Sequence, residues 1–284
     1  METTSRQAAV AASRPEDVPP QRPPLYRRLA PYAVPTATLL AVLVLWELGT
    51  HLFRVPRLLL PAPSAIVGTM VDQAPLLAEM SITTTEEILL GFGLSVLVGI
   101  PLGALIVYSR PFEMAVYPLL VASQTIPKAA LAPIFVVWLG LGMPSKVLIA
   151  FVIAFFPIVI DTAVGLRSTP PEILHLIRSL GASPLQTFWM VRLPQALPNI
   201  FGGLKIASTL AVVGAIVGEF VSADKGLGYL VLVANGNLNT TLVFAVVATL
   251  SLVGVVFYFV IELIERVVVR WHVSVRREEA AGTL

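Results

Sequence analysis

Cysteine is absent from the 284-residue chain, which excludes disulfides, thiolate metal sites and cysteine nucleophiles and leaves the compartment unread by redox chemistry. Charge is scarce as well: Asp, Glu, Lys and Arg make up 13% of the residues, against roughly a quarter in soluble domains. The formal surplus of +2 is too small to imply a nucleic-acid partner. No GxxxxGK(S/T) phosphate loop, HExxH or GxSxG occurs, so the chain is not expected to bind ATP by that route or to carry these hydrolytic centres. His51, His175 and His272 are too scattered for a metal site, and the GLG at 226–228 reads as a turn rather than a dinucleotide fingerprint. No catalytic centre, metal or cofactor is expected.

Apolar residues fill the space that charge leaves. They make up 56% of the chain, with a mean hydropathy of +0.85, which marks an all-α integral membrane protein. A crossing needs about 20 mostly apolar residues. Six such runs are expected, at about 34–53, 82–108, 112–140, 145–166, 202–221 and 241–264. The third is too long for one straight helix and carries Pro118, Pro127 and Pro133. Between the first two runs, PAPSAIVGTMVDQAPLLAEM reads as an amphipathic segment lying on the membrane surface. The G-x-x-x-G at 99–103 suits close helix packing. Residues 1–30 (with SRPEDVPPQRPPLYRR) read as a disordered arm, 31–270 as the transmembrane domain and 271–284 as a tail. The first run begins late and lacks a cleavage site, so it is expected to remain as an anchor.

An even number of crossings places both termini on one side. That side collects Arg14, Arg22, Arg27, Arg28, Arg110, Arg167, Arg178, Arg192, Lys205, Arg266, Arg270, Arg276 and Arg277, and the other only Arg54, Arg57, Lys146 and Lys225. By the positive-inside rule the termini are cytoplasmic.

Ionisable residues at membrane depth are costly and usually functional. Lys128 lies in QTIPKAALAP, between Pro127 and Pro133, where freed carbonyls need protein or a water-filled path. Two readings stay open for it: pathway lining, or an interfacial lysine that snorkels. Glu219, closing the fifth run, pairs with Lys128, contacts the solute or marks the outer interface. Glu86 and Glu87 after Thr83 and Thr84 read as helix-start capping chemistry, and Asp161 as structural.

The most heavily punctuated stretch is 169–200, TPPEILHLIRSLGASPLQTFWMVRLPQALPNI. Thr169 is placed to cap a helix with Pro170 at its first position and Glu172 as the box carboxylate. Gly181 offers the left-handed turn that ends it. Ser183, Pro184 and Gln186 repeat the start signal, and Pro194 and Pro198 are expected to end the second helix. The stretch is therefore a helix-turn-helix hairpin, with Leu176, Ile177, Leu180 and Leu185 as its apolar face.

This hairpin resembles the cytoplasmic loop of the permease subunits of binding-protein-dependent ATP-binding-cassette importers, whose pattern is E-A-A, three residues, G, nine residues, I-x-L-P. Gly181 matches the glycine, and Val191, Leu193 and Pro194 fill the last positions. His175, Leu176 and Ile177 stand where E-A-A is usual, with Glu172 one turn upstream. LLLPAPSAIV, QTIPKAALAPIFVVWLGLGMPSK, FFPIVIDTAVGLR and VGEFVSADKGLGYL, in that order over about 50–265, are similar to the branch serving nitrate, sulfonates, taurine, thiamine-pyrimidine precursors and riboflavin. The resemblance implies the type I importer permease fold in a bacterial plasma membrane. It also implies a second permease copy, two cytoplasmic ATPases and an extracytoplasmic substrate-binding protein. Glu172, His175, Leu176, Ile177, Gly181, Ala182, Ser183, Leu193 and Pro194 would meet the ATPase, and Pro127, Lys128, Pro133 and Glu219 would line the path. The rival reading is a secondary transporter driven by an ion gradient through Lys128 and Glu219.

Overall fold

The computed structural model describes residues 25–222 and 224–270; residues 1–24 of the expected arm and the whole expected tail lie outside them. Among the described residues every regular element is helical. In chain order, α1 (Leu25–Leu52), α2 (Pro63–Asp72) and α3 (Ala74–Tyr108) come first, then α4 (Arg110–Ser123) and α5 (Ala132–Leu139), joined through a 3-10 turn at Lys128–Leu131. They are followed by α6 (Met143–Arg167), α7 (Pro171–Ser179), α8 (Pro184–Thr187), α9 (Leu193–Ser222), α10 (Leu227–Gly236) and α11 (Thr240–Val268). The described residues fall into two units, one ending at Val42 and the other starting at Leu43. The first holds the opening turns of α1; everything below belongs to the second.

Five helical runs are long and apolar enough to cross a membrane: Ala33–Leu52, Ala74–Tyr108, Met143–Arg167, Pro184–Ser222 and Thr240–Val268. A sixth crossing is made in two pieces, Arg110–Ser123 and Lys128–Leu139, bent by 89°. Contacts at the two ends of this pair show that it traverses the bundle. Tyr108, just before it, stacks edge-on to Phe188 beyond the hairpin. Lys146, just after it, pairs with Glu87, which stands about 30 Å back along α3 at 1.5 Å per residue. The six expected crossings are present. The break falls at Pro127, whereas Pro118 sits inside α4 and Pro133 in the first turn of α5, where a missing N–H costs nothing.

The core is a sandwich of α3, α6 and α9, made close by small residues. Ala150 of α6 is fully buried between Gly91 of α3 and Gly214 of α9. A β-carbon on Gly214 would come within 2.6 Å of the Ala150 Cα, so the helix axes approach as only glycine permits. Gly99 and Gly103, the expected packing pair, face Ile158, Val159 and Thr162 in the same way. Without a hydrophobic drive between helices in lipid, such close van der Waals packing is what holds them. Gly214→Leu is accordingly expected to destabilise the chain by about 1–3 kcal/mol through overpacking, read as a lower melting temperature of the detergent-purified protein.

Three boundaries differ from expectation: α1 already begins at Leu25, so residues 25–30 of the expected arm are helical. The surface segment divides: α2 buries Ile66 and is tied to α1 by the Glu47 carboxylate, which accepts from the Ser64 amide (3.0 Å) and hydroxyl (2.7 Å). The rest of it opens α3, which starts at Ala74 because Leu77 is buried against Leu227, Leu230 and Val246. The second helix of the hairpin, expected to stop at Pro194 and Pro198, instead runs on into α9, so that Pro184–Ser222 is one 39-residue run. A π turn at Phe188–Arg192 accounts for the passage through Pro194, while Pro198 is carried inside α9. In a regular α-helix the Pro194 ring would clash with the carbonyl four residues back, and a wider turn relieves that clash.

Candidate functional site

The hairpin is built almost wholly from local signals. Helix α7 starts one residue later than expected. Pro170 takes the cap position in extended backbone and Pro171 the first helical position. Thr169 is consequently buried without a hydrogen-bond partner for its hydroxyl rather than capping the helix. The helix ends as Gly181 predicts, at φ +79°. The Gly181 amide donates to the Arg178 carbonyl (3.0 Å) and the Ala182 amide to the Ile177 carbonyl (3.3 Å), the paired bonds of a Schellman motif. The second start is a complete capping box: the Gln186 amide donates to the Ser183 hydroxyl (3.2 Å) and the Ser183 amide to the Gln186 side-chain oxygen (2.8 Å).

Ile173, Leu174 and Ile177 form the half-buried side of α7, while Glu172, His175 and Leu176 are exposed with Gly181 and Ser183 beyond them. Ala182, Leu193 and Pro194 are half-buried. Leu176, Leu180 and Leu185 expose 59%, 73% and 68% of their surfaces. A compact hairpin exposing leucines from α7, its C-cap and α8 is a surface with something to dock. Behind it, Phe188 packs on Tyr108 (5.6 Å between centroids) and Arg192 stands 5.3 Å over the same ring. A displacement at Leu180 thus has two routes inward: through Tyr108 into α3, and along the continuous helix into α9.

The expected path residues do not gather into one site. Pro127 and Pro133 are exposed at the break, and Lys128 is half-buried with its ammonium 5.5 Å from the Phe156 ring centroid. Glu219 is not paired with Lys128. It is 1% exposed, accepting from the Thr84 hydroxyl (2.6 Å) and from the Gly228 amide. Thr84 in turn accepts from the Leu227 amide (2.8 Å). Gly226 and Gly228 are required here, since a β-carbon at Gly228 would lie 2.7 Å from a Glu219 carboxylate oxygen.

Beside Glu219 lies an ion pair that sequence reasoning missed. Lys146 donates to Glu87 at 2.8 Å, with side chains 4% and 0% exposed, and the Glu87 and Glu219 carboxyls are in side-chain hydrogen-bond contact. The helix-start reading of Glu87 is therefore corrected: α3 begins thirteen residues earlier, at Ala74, and Glu87 is an interior residue. The Ser145 and Ser222 hydroxyls add a 3.3 Å contact. Thr84, Glu87, Ser145, Lys146, Glu219 and Ser222 together join α3, α6 and α9, on the side remote from the hairpin, to the first turn of α10. One signal was available: three charges stand near the same end of three apolar runs.

With this geometry the comparisons with known proteins agree. Residues 95–270 match the family described as binding-protein-dependent transport system inner membrane component. The riboflavin transport system permease protein RibX of Chloroflexus aurantiacus is 38% identical over 239 residues, covering 84% of this chain and 89% of that protein. The formylaminopyrimidine transport permease protein ThiX of Halalkalibacterium halodurans is 40% identical over 238 residues, covering 84% and 95%. Among solved structures, an inward-facing MetNI methionine ABC transporter chain superposes with a TM-score of 0.62 at 22% identity, over 69% of this chain and 98% of that one, a likeness of fold.

Proposed function

Because the chain belongs to the binding-protein-dependent transport system inner membrane components, the multi-pass permease subunits of ATP-binding-cassette importers, we propose that it passes a small solute inward as one of two identical permease copies. Two cytoplasmic ATPases dock on its hairpins, and an extracytoplasmic binding protein delivers the solute. The permease supplies the path and the lever, and ATP hydrolysis belongs to the partner. The observation that carries this is the hairpin: capped at both helices, leucine-faced, and continuous with α9 through the π turn. A chain without a phosphate loop receives work only as displacement, and a rigid hairpin delivers displacement into the core. With the hairpin cytoplasmic and six crossings, both termini are cytoplasmic too. The solute class follows the relatives: a riboflavin-like or pyrimidine-like heterocycle first, with sulfonate, taurine or nitrate behind it. Glu172, His175, Leu176, Ile177, Gly181, Ala182, Ser183, Leu193 and Pro194 form or support the docking surface. Lys128, Pro127 and Pro133 mark the broken crossing on the path, and Glu219 holds the far end of the bundle together.

Isolating the tagged chain from its own membranes in mild detergent tests the reading. An ATPase is expected to accompany it in near-equal amount. A chain that comes down alone and still supports uptake after ATP depletion would discard the lever in favour of a gradient-driven carrier.

A further inference from the structure

Two adjoining cavities lie where α3 meets the hairpin. The larger, about 540 Å³, is an apolar trough floored by Pro101, Ala104 and Leu105 and walled by Leu185 and Phe188. The smaller, about 110 Å³, is lined by Arg178 and Arg192 with Ala182 and Thr187. Tyr108 and Pro184 line both, so the trough and the arginine pocket adjoin. Of the other cations at this end of the molecule, Arg167 is paired with Glu113 (2.7 Å) and Lys205 with Glu265 (2.7 Å), while Arg110 is unpaired among the described residues but lines neither cavity. Arg178 and Arg192 have no carboxylate partner among the described residues; Arg192 is held only by the face of Tyr108.

We propose that this composite cavity is a binding site for an anionic phospholipid of the cytoplasmic leaflet, one acyl chain lying in the trough and the phosphate held between Arg178 and Arg192. The sidedness rests on the transport reading above; the site itself does not. The trough follows the last two turns of α3, and Ser109 and Arg110 come straight after them, so the arginine pocket sits at headgroup depth. A guanidinium presents paired donors that match phosphate oxygens, and basic pockets between transmembrane helices at the cytoplasmic face suit lipid phosphates. Tyr108 fits the interfacial belt, and Trp189, 60% exposed and packed on Phe188, continues that belt. The charge selects an anionic headgroup over a zwitterionic one. A lipid seated there fills the gap between α3 and the second helix of the hairpin and braces the lever against the bundle.

Native mass spectrometry of the delipidated full-length chain, titrated with phosphatidylglycerol or phosphatidylcholine, tests this without any ATPase. It can therefore fail while the transport reading stands. Phosphatidylglycerol is expected to be retained at least tenfold more tightly, and Arg178→Gln and Arg192→Gln are each expected to cut its retention by about fivefold, with Arg110→Gln as a charge control that leaves it unchanged. Leu105→Trp, which fills the trough and keeps both arginines, should weaken retention of the diacyl lipid without weakening binding of inorganic phosphate. Equal retention of the two lipids, or an undiminished preference in the double Arg178→Gln, Arg192→Gln variant, would overturn the proposal. So would inorganic phosphate displacing the lipid at equal concentration, which would make the pocket a plain anion site.

Discussion

Replacing Lys146 with alanine is expected to destabilise the permease by about 3–5 kcal/mol, the largest effect of any single change considered. The loss comes from what stays behind rather than from the ion pair itself. Glu87 is wholly buried, its carboxyl meets that of Glu219, and Glu219 is tied to Thr84, one turn from Glu87 on the same helix. Without the ammonium, two carboxylates share an interior that water does not reach. A buried ion pair taken as a whole contributes little, because desolvation offsets the attraction, so removing both partners is far milder than removing one. The double variant Lys146→Met, Glu87→Leu should therefore recover most of the stability. Melting temperature of the detergent-purified chain and its steady-state level in membranes read both variants. Wild-type melting of Lys146→Ala would show that Glu87 finds another partner.

Gly181→Val is expected to lower solute uptake by about tenfold while the partner's ATP hydrolysis continues. The left-handed conformation at φ +79° costs an L-residue roughly 1–2 kcal/mol, more for a β-branched one, and 1.4 kcal/mol is about a factor of ten in population. The Schellman bonds from Gly181 and Ala182 would open and the end of α7 would fray. The docking leucines would no longer be held at a fixed distance from the capping box at Ser183. Gly181→Asn is the informative control, because asparagine accepts the left-handed region; its uptake should stay close to wild type. Uptake and ATPase activity measured in vesicles at matched expression decide the matter, and undiminished transport in the valine variant would sink the lever.

The hairpin and the six crossings were legible because their causes are local. Gly181, Ser183 and Gln186 act on neighbours within four residues, and an apolar run long enough to span a bilayer needs no partner to be recognised. The misreadings have the opposite character. Thr83-Thr84-Thr85-Glu86-Glu87 carries the same letters whether it opens a helix or lies inside one. What decides is distant in sequence: Leu227, Leu230 and Val246, which bury Leu77, and Lys146, 59 residues from Glu87. Pro194 looked like a terminator because the rule assumes a regular turn before it, and five residues wound more loosely avoid the clash. Thr169 lost the cap to Pro170 because Pro171 takes the first helical position equally well. Lys128 and Glu219 were considered together as rare charges in apolar runs, but their partners, Phe156 for the one and Thr84 and Gly228 for the other, belong to different helices.

The pinching of Ala150 between two glycines bears on how any passage can open. Helices that touch backbone to backbone have no side-chain layer to shear, and at their far ends α3, α6 and α9 are also fastened by buried charge. Such a trio behaves as one stiff block, too tightly keyed to part along its own seams. The opening must then form at the block's outer faces, where the proposed second copy would meet it. Turning the block as a whole is the motion left for the hairpin to drive.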